Sequence, residues 1–361
     1  MKRVVLVALL MALVLAIAVG AGSVYQWRRP YKNYPGNLML VLEQGTSSYQ
    51  IARLLEERGV IESRWPIWVR HMLNRGATLK AGEYSFDHPL SPADVYLKLV
   101  RGDVHLYSVT IPEGSDRFDM ARIVQRDLGV DPQAFLRASE DGGAIHDLDP
   151  KADTLEGYLF PDTYFFPRGV TAEQIVTRML SRCRRVLATR IPPESQPSPD
   201  ALRQVMTLAS LVEKETPVHD ERPVVAGVFR KRLKIGMPLQ CDPTVIYAAK
   251  LAGRFAGTIK QSDLNFDSPY NTYRHAGLPP GPIASPGEAA IRAALWPAET
   301  DFLYFVSDDR GGHFFSRTLA EHNRKVARYR REVGIRCEAD HSTSRVGSGS
   351  ASRKVQHSKS R

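Results

Sequence analysis

Two glutamates lie close together in the second half of the chain, Glu213 and Glu215 of the segment V-E-K-E-T. A carboxyl group can act as a general acid on a glycosidic oxygen when its surroundings keep it protonated. The spacing of apolar residues predicts a helix over 201–216, in which Glu215 continues the stripe formed by Leu208 and Val212. Glu215 is therefore placed on an apolar face, as a general acid requires.

Two effects favour a protonated Glu215. Its apolar face penalises the charged form, and Pro217 places it in the last helical turn, where the helix dipole opposes a negative charge. Glu213 lies off the stripe, beside Lys214, and is the second candidate. An ordinary surface glutamate at a helix end is the plainer interpretation of Glu215 taken alone.

Polar and aromatic residues in turn-rich segments are candidates for binding a polar substrate. The tyrosines can stack on sugar rings, and the amides and carboxylates can form hydrogen bonds with hydroxyl groups. The same residues also fit a proline-stiffened surface loop, and Glu156 and Asp162 fit a structural role equally well. The candidate substrate-binding residues are Gln240, Asp242, Thr244, Tyr270, Asn271, Tyr273, Glu156 and Asp162.

Several other chemistries lack their usual sequence motifs. These polar segments contain no G-x-S-x-G, H-E-x-x-H, P-loop or Rossmann pattern. The three cysteines, Cys183, Cys241 and Cys337, cannot all pair and show no C-x-x-C spacing. We therefore expect neither a disulfide scaffold nor a zinc site, and the chemistry proposed for Glu215 needs no metal or nucleotide cofactor.

The composition indicates what kind of chain must position these residues. A length of 361 residues is enough for two or three domains. With 43% hydrophobic and 24% charged residues, the chain is neither wholly disordered nor a polytopic membrane protein. Strand–turn–helix patterns in the first half predict an α+β fold. We expect a mixed α+β catalytic domain over 150–335, as the family resemblance described below implies.

The N-terminus has an uncharged apolar run from Val4 to about Tyr25, flanked by basic residues on both sides. About 20 such residues are enough to cross a bilayer. The run is longer than the apolar part of a typical signal peptide, although an A-x-A-like sequence at Ala16 leaves cleavage open. We predict a single transmembrane anchor over 1–29, with the large domain outside.

The region 36–130 contains an internal repeat. Residues from 42 onward align without a gap to residues from 111 onward, at an offset of 69. Each copy reads as a strand, a glycine turn and an amphipathic helix, with Thr46 and Ser115 as the expected N-caps. Such a unit resembles the LysM-like module that binds peptidoglycan glycan, although coincidence of a common motif is an alternative.

The net charge of +10 first suggests nucleic acid, anionic lipid or an acidic polymer as a partner. Five of these charges lie in a Ser-, Gly- and Arg/Lys-rich tail, 341–361, that contains no acidic residue. The composition of the tail predicts a disordered basic segment over 338–361. Because no basic cluster interleaved with aromatics marks a groove elsewhere, we expect no nucleic-acid partner.

Several motifs in order resemble the YceG-like endolytic murein transglycosylases. They are V-E-K-E-T, R-L-K-I-G-M-P-L-Q-C-D-P-T-V-I-Y, S-P-Y-N-T-Y, G-L-P-P-G-P-I-A-S-P-G, L-Y-F-V and G-G-H-F-F. The resemblance extends over the anchor, the repeat region and about 155–333. It implies a catalytic glutamate in V-E-K-E-T, at Glu215 with Glu213 as the fallback, and does not explain the basic tail.

The resemblance also implies a location and a reaction. Members of this family are anchored in the inner (plasma) membrane, face the cell wall and cut nascent peptidoglycan glycan strands, which terminates strand elongation. The bond between N-acetylmuramic acid and N-acetylglucosamine would break without water and leave a 1,6-anhydro end. Wall-synthesis enzymes are the implied protein partners.

Two other functions remain open at this point. A hydrolytic muramidase would use the same carboxyl and give reducing ends instead of anhydro ends. A noncatalytic anchor would bind peptidoglycan through the repeat and recruit wall-synthesis enzymes.

Overall fold

The computed structural model describes residues 2–74, 76–308 and 311–331, so the predicted basic tail lies outside the described residues. The mixture of helices and strands confirms the α+β class, with an apolar helix at the N-terminus. The helices are α1 (Lys2–Arg28), α2 (Ser48–Glu57), α3 (Trp65–Leu73), α4 (Pro92–Arg101), α5 (Arg117–Leu128), α6 (Pro132–Ala138), α7 (Ala172–Arg190), α8 (Pro199–Glu215), α9 (Arg222–Lys234), α10 (Asp242–Leu251), α11 (Glu288–Leu295) and α12 (319–331). The strands are β1 (Leu38–Leu42), β2 (Gly82–Phe86), β3 (Leu106–Thr110), β4 (Thr163–Pro167), β5 (Tyr304–Ser307) and β6 (His313–Ser316).

The described residues divide into two compact units. The first contains the chain up to Val109 together with Tyr164–Val170, and the second contains Thr110–Thr163 together with the chain from Thr171 onward. The first copy of the sequence repeat lies in the first unit, whereas helix α5 of the second copy lies in the second unit. The domain bounds drawn from the sequence stay predictions.

Helix α1 begins the first unit and is apolar along most of its length. Its segment Leu9–Arg28 is long and apolar enough to cross a membrane, with a mean hydropathy of 1.9. A signal sequence near an N-terminus meets the same criterion. The helix is therefore compatible with the predicted single-pass anchor.

The rest of the first unit packs helices α2, α3 and α4 around an antiparallel β1–β2 pair, in which Leu40 lies opposite Tyr84. Strand β1 alternates as a half-buried strand should, with Leu40 and Leu42 inside and Met39 and Val41 outside. The unit therefore has a small hydrophobic core of its own.

The helix starts of the two repeat copies differ from the sequence expectation by one residue. The N-caps are Ser47 and Asp116, whose side-chain oxygens accept hydrogen bonds from the backbone N–H three residues on. Thr46 and Ser115, the expected caps, instead donate their hydroxyl groups to the carbonyl oxygen three residues earlier, at 2.9 and 2.7 Å. The competing local hydrogen bond in the turn explains the shift.

Helix α8 is central to the second unit and packs against α9, α10 and α11. Ser198 caps its N-terminus and Pro199 occupies the first turn, where a missing N–H costs nothing. Strands β5 and β6 form an antiparallel pair in which Tyr304 lies opposite Ser316. This arrangement brings the C-terminal end of α8 close to α9 and β5.

Candidate active site

Glu215 is the last residue of α8, as the apolar periodicity and Pro217 predict. Thr216 caps the helix in an extended conformation, and its N–H donates to the carbonyl oxygen of Val212 at 3.3 Å. Helix α8 therefore ends at Glu215, whose side chain lines a pocket. At this end of the helix the dipole opposes a negative charge.

The pocket around Glu215 has a volume of about 340 Å³. Its walls come from the ends of α8 and α10, from α9, from β5 and from α12, so it depends on segments far apart in sequence. The lining residues are Glu215, Phe229, Arg232, Leu239, Gln240, Asp242, Tyr273, Tyr304, Phe305, Leu319 and His322.

Burial raises the pKa of the Glu215 carboxyl, and the negative charge of Asp242 raises this pKa further. A hydrogen bond with the Cys241 thiol and the positive charge of Arg232 act in the opposite direction. Because burial is the largest of these effects, the protonated form of Glu215 is favoured, as a general acid requires.

Arg232 is buried beside the glutamate and fixes two walls of the pocket. Its Nε donates to the carbonyl oxygen of Leu303 and its Nη1 to that of Leu239, both at 2.7 Å. The guanidinium also lies 5.3 Å from the ring centre of Tyr304. Arg232 thus ties α9 to β5 and to the loop before α10, and places a positive charge near the carboxyl.

Gln240 lines the pocket in an unusual backbone conformation. Its φ of 53° is in the left-handed region, where non-glycine residues are strained. A hydrogen bond of 3.2 Å from its N–H to the carbonyl oxygen of Thr272 helps to hold this conformation. Strain at a pocket residue is a common sign of a functional constraint.

Asp242 and Tyr273 form a pair at the mouth of the same pocket. The Tyr273 hydroxyl donates to Oδ1 of Asp242 at 2.5 Å, and burial raises the pKa of that hydroxyl. Asp242 opens helix α10, where a negative charge is favoured by the helix dipole. The structure therefore brings Glu215, Gln240, Asp242 and Tyr273 together.

Thr244 and Asn271 are fully buried and do not line the pocket. The Thr244 hydroxyl donates to the carbonyl oxygen of Cys241 at 2.6 Å. The Asn271 amide donates to the carbonyl oxygens of Leu264 and Phe266 and accepts from the N–H of Tyr273. Both residues shape the loops that carry the pocket residues.

The other three candidates lie outside the pocket lining. Asp162 accepts hydrogen bonds from Arg182 Nε, at 2.6 Å, and from its neighbouring N–H. Glu156 is buried beside Arg117, and burial raises its pKa to about 7. Tyr270 packs edge-on against Tyr247, with ring centres 5.0 Å apart. These contacts support a structural role, and substrate binding by the three residues stays a prediction.

Glu213 has a different environment from Glu215, although both lie in the last turn of α8. Its Oε1 lies 2.7 Å from Arg222 Nη2, and its Oε2 accepts from the N–H of Gly287 at 3.0 Å. Although Glu213 lies off the apolar stripe, its side chain is only 5% exposed. The long-range partner Arg222 explains this burial.

Comparison with known proteins places this geometry in a family. The model of the YceG-like family matches residues 40–328, most of the chain. This chain belongs to the YceG-like family.

Named relatives agree with this membership. A protein of Bacillus subtilis (strain 168) named endolytic murein transglycosylase is 33% identical over 307 residues, which cover 80% of this chain and 83% of the relative. A Streptococcus pneumoniae (strain D39) protein of the same name is 30% identical over 317 residues, and the match covers 80% of this chain and 57% of the relative.

A solved structure is also similar. The 2.6 Å crystal structure of a yceG-like protein from Listeria monocytogenes superposes with a TM-score of 0.53 at 32% identity, covering 80% of this chain and 98% of that one. The similarity therefore extends over both compact units of the YceG-like chain.

Three polar residues of this YceG-like pocket were not singled out as candidates from the sequence: Arg232, Tyr304 and His322. The His322 ring stacks on Tyr304, with centres 5.3 Å apart, and burial lowers its pKa. Its Nδ1 is buried and has no hydrogen-bond partner among the described residues. Only the motifs containing Arg232 and Tyr304 gave a signal, because His322 lies in a helix with no distinctive pattern.

Among the described residues, no group of three or more His, Cys, Asp or Glu side chains is arranged so that it could hold a metal ion.

Proposed function

We propose that this chain cleaves peptidoglycan glycan strands internally, with Glu215 as the catalytic acid, and leaves 1,6-anhydro-N-acetylmuramic acid ends. The chain is a murein transglycosylase by its family and by the names of its relatives. The observation that carries the assignment of Glu215 is a half-buried carboxyl of raised pKa that lines a pocket with three other polar candidates.

The reaction begins with proton transfer. Protonated Glu215 donates to the oxygen that joins C1 of N-acetylmuramic acid to N-acetylglucosamine, and the C1–O bond breaks as positive charge develops on the muramyl ring. The departing N-acetylglucosamine keeps that proton on its new hydroxyl group. Glu215 is left ionised beside the positive centre, which its charge stabilises.

The second half of the reaction restores the acid. The C6 hydroxyl of the same muramyl ring attacks C1 and forms the 1,6-anhydro bond, and its proton passes to the Glu215 carboxylate. No water is consumed and the enzyme ends in its starting protonation state. A single carboxyl is therefore sufficient for both transfers.

Other pocket residues support binding and charge stabilisation. The Gln240 amide and the Asp242–Tyr273 pair present donors and acceptors for sugar hydroxyl groups. The Asp242 carboxylate stabilises positive charge on the sugar ring and, by its charge, the protonated form of Glu215. Thr244 and Asn271 act indirectly, by holding these loops.

The proposed location rests on helix α1. A single-pass anchor would hold the catalytic unit at the extracytoplasmic face of the inner (plasma) membrane, where nascent glycan strands are made, so that internal cleavage terminates their elongation. The apolar Leu9–Arg28 segment supports this proposal. Wall-synthesis enzymes remain the proposed partners, and the repeat region a proposed LysM-like glycan-binding region.

A hydrolytic muramidase is the second candidate, because a second carboxylate, Asp242, lines the same pocket. In that reaction Asp242 would act as base or nucleophile and the product would carry a reducing end.

Product analysis tests these proposals. Purified full-length parent and Glu215→Gln protein are incubated with peptidoglycan, and the fragments are analysed by mass spectrometry. We expect anhydro ends from the parent and none from the variant. Anhydro ends at the parental rate from Glu215→Gln would overturn the assignment, reducing ends from the parent would favour the muramidase, and glycan binding without cleavage by the parent would favour the noncatalytic anchor.

A further inference from the structure

Helix α3 of the first unit exposes an apolar stripe. The exposed residues are spaced as one face of a helix, at positions i, i+4, i+7 and i+8. They are Trp65, Val69, Met72 and Leu73, which are 55%, 44%, 44% and 77% exposed. An exposed stripe of this size on a short helix indicates a surface that contacts something apolar.

The stripe is separate from the face that α3 uses for folding. Ile67 is fully buried in the core of the first unit, and Trp68 packs against the same core. Trp65 meets Trp68 only edge-on, with ring centres 5.6 Å apart, and keeps half of its surface exposed. The outward residues are therefore not required for the core.

A groove of about 480 Å³ runs along this stripe and the last turns of α1. Trp65, Val69 and Leu73 form one side, and Val24 and Trp27 form the other. Trp27 also packs against Tyr96 of α4, with ring centres 5.9 Å apart. The stripe is thus continuous with the end of the helix that we propose as the membrane anchor.

Charged residues at this end of α1 and α3 are suited to anionic lipid headgroups. Arg28 and Arg29 follow the apolar run of α1 and are exposed, and the exposed Arg70 lies on the groove itself. Tryptophan beside arginine is typical of the layer between hydrocarbon and water, where apolar rings insert and cationic heads reach phosphate.

We propose that the α3 stripe lies in the interfacial layer of the lipid bilayer, as a second membrane contact beside the anchor. The partner is a bilayer surface with anionic headgroups, and the contact holds the first unit against the membrane. The inference rests on the anchoring part of the proposed function, because only a spanning α1 puts the groove at the level of the headgroups.

A residue-specific quenching experiment tests the contact. In the full-length chain with Cys337→Ser, Val69→Cys or Leu73→Cys is labelled with a fluorescent maleimide whose emission brominated lipids quench. The remaining thiols, Cys183 and Cys241, are each 1% exposed and do not react in the folded protein. The protein is reconstituted into phosphatidylglycerol–phosphatidylcholine vesicles with or without brominated chains, and we expect strong quenching at both positions.

Val41→Cys is the matched control, because Val41 lies in the same unit and is 45% exposed, against 44% for Val69. We expect little quenching at 41, and circular dichroism should show the same fold for every variant. Equal quenching at 41 and 69, or none at 69 and 73, overturns the proposal. In a further outcome, brominated lipids do not quench the label at 69, but its emission shifts to the blue as the protein concentration in detergent rises. That outcome also overturns the proposal and indicates that a second copy of the chain covers the stripe.

Alkaline extraction of the same vesicles separates this inference from the anchor. A chain that resists extraction but shows no quenching at 69 contradicts the α3 contact and leaves the anchor intact. A chain that is extracted contradicts the anchor, and the α3 contact with it.

Discussion

Glu213 and Glu215 are two residues apart in the last turn of α8, and one side chain has a charged partner whereas the other has a neutral one. Arg222 Nη2 lies 2.7 Å from the Glu213 carboxylate, whereas the neutral Cys241 thiol contacts Glu215. Burial raises the pKa of both carboxyls, so the direction of the pKa shift does not distinguish them. The partners do, since an ion pair favours a charged structural residue and a thiol does not.

Exchanging each glutamate for glutamine should separate stability from catalysis. Glu213→Gln leaves buried Arg222 without its nearest carboxylate, and loss of one partner of such a pair costs about 3 kcal/mol. Glu215→Gln removes the proton donor, which should slow cleavage by at least about 100-fold without lowering the melting temperature. Thermal unfolding and product mass analysis on both variants provide the measurement. The assignment fails if Glu213→Gln abolishes cleavage in a fully folded protein while Glu215→Gln remains active.

Asp242→Asn should move the pH profile of cleavage to lower pH. The reaction needs protonated Glu215, so the rate falls as the pH rises through the pKa of that carboxyl. The Asp242 charge raises this pKa, and removing the charge lowers it. Initial rates across the pH range give the falling limb, with Asp220→Asn, an exposed position outside the pocket lining, as control. The overall rate should also fall, because the Asp242 carboxylate is proposed to stabilise positive charge on the sugar ring. A falling limb that stays at the parental pH would show that the Asp242 charge does not tune the Glu215 carboxyl.

Cys241→Ala should move the same limb to higher pH. The hydrogen bond from the thiol lowers the pKa of Glu215, and alanine cannot form it. Cys183→Ala is the matched control, because Cys183 is equally buried, at 1% exposed, but lies in α7. Because both substitutions leave a cavity of similar size in the core, both variants should lose some stability. Only Cys241→Ala should shift the pH profile of cleavage. A limb that stays in place in Cys241→Ala, or shifts equally in both variants, would show that the thiol does not tune the acid.

The position of Glu215 at the end of α8 could be predicted from sequence because the signals are local. Apolar spacing fixed the buried face, and Pro217 fixed the end of the helix. The N-caps of the repeat were missed by one residue, since Thr46 and Ser115 have a competing bond within the turn. The α+β class followed in the same way from local patterns.

The rest of the pocket could not be predicted, because its contacts are distant in sequence. Arg232 donates to Leu303, 71 residues away, and His322 reaches Tyr304 from a helix that no motif marks. Thr244 and Asn271 have residue types that suit sugar binding, but tertiary packing buries them completely. Periodicity shows which face of an element is inside and does not show which elements meet.

Glu156→Gln should remove part of the pH dependence of stability. The pKa of buried Glu156 is raised from 4.5 to about 7, so the folded chain binds this proton more tightly than the unfolded chain. The stability from this proton is complete below about pH 4.5 and is lost as the pH rises to about 7, a loss of about 3 kcal/mol. Glutamine mimics the protonated acid and avoids the loss.

Thermal unfolding of parent and Glu156→Gln at pH 5 and pH 8 measures this effect. We expect similar melting temperatures at the lower pH and a higher one for the variant at the higher pH. The exposed Glu194→Gln serves as control and should follow the parent at both values. Parallel curves for parent and Glu156→Gln would mean that Glu156 is ionised in the folded protein throughout this range.

Gln240→Gly should stabilise the protein and weaken catalysis. Glycine adopts a φ of 53° without the penalty of a Cβ, and relief of a left-handed residue gives about 1 kcal/mol. The variant also loses the amide that we propose to bind a sugar hydroxyl, which should lower kcat/KM about tenfold. Gln240→Asn, which tolerates the left-handed region and keeps an amide, should lose less activity. A Gln240→Gly protein that is more stable and cleaves at the parental rate would show that the strain at this position does not serve substrate binding. A rise in stability together with a fall in activity would tie the strain to the site.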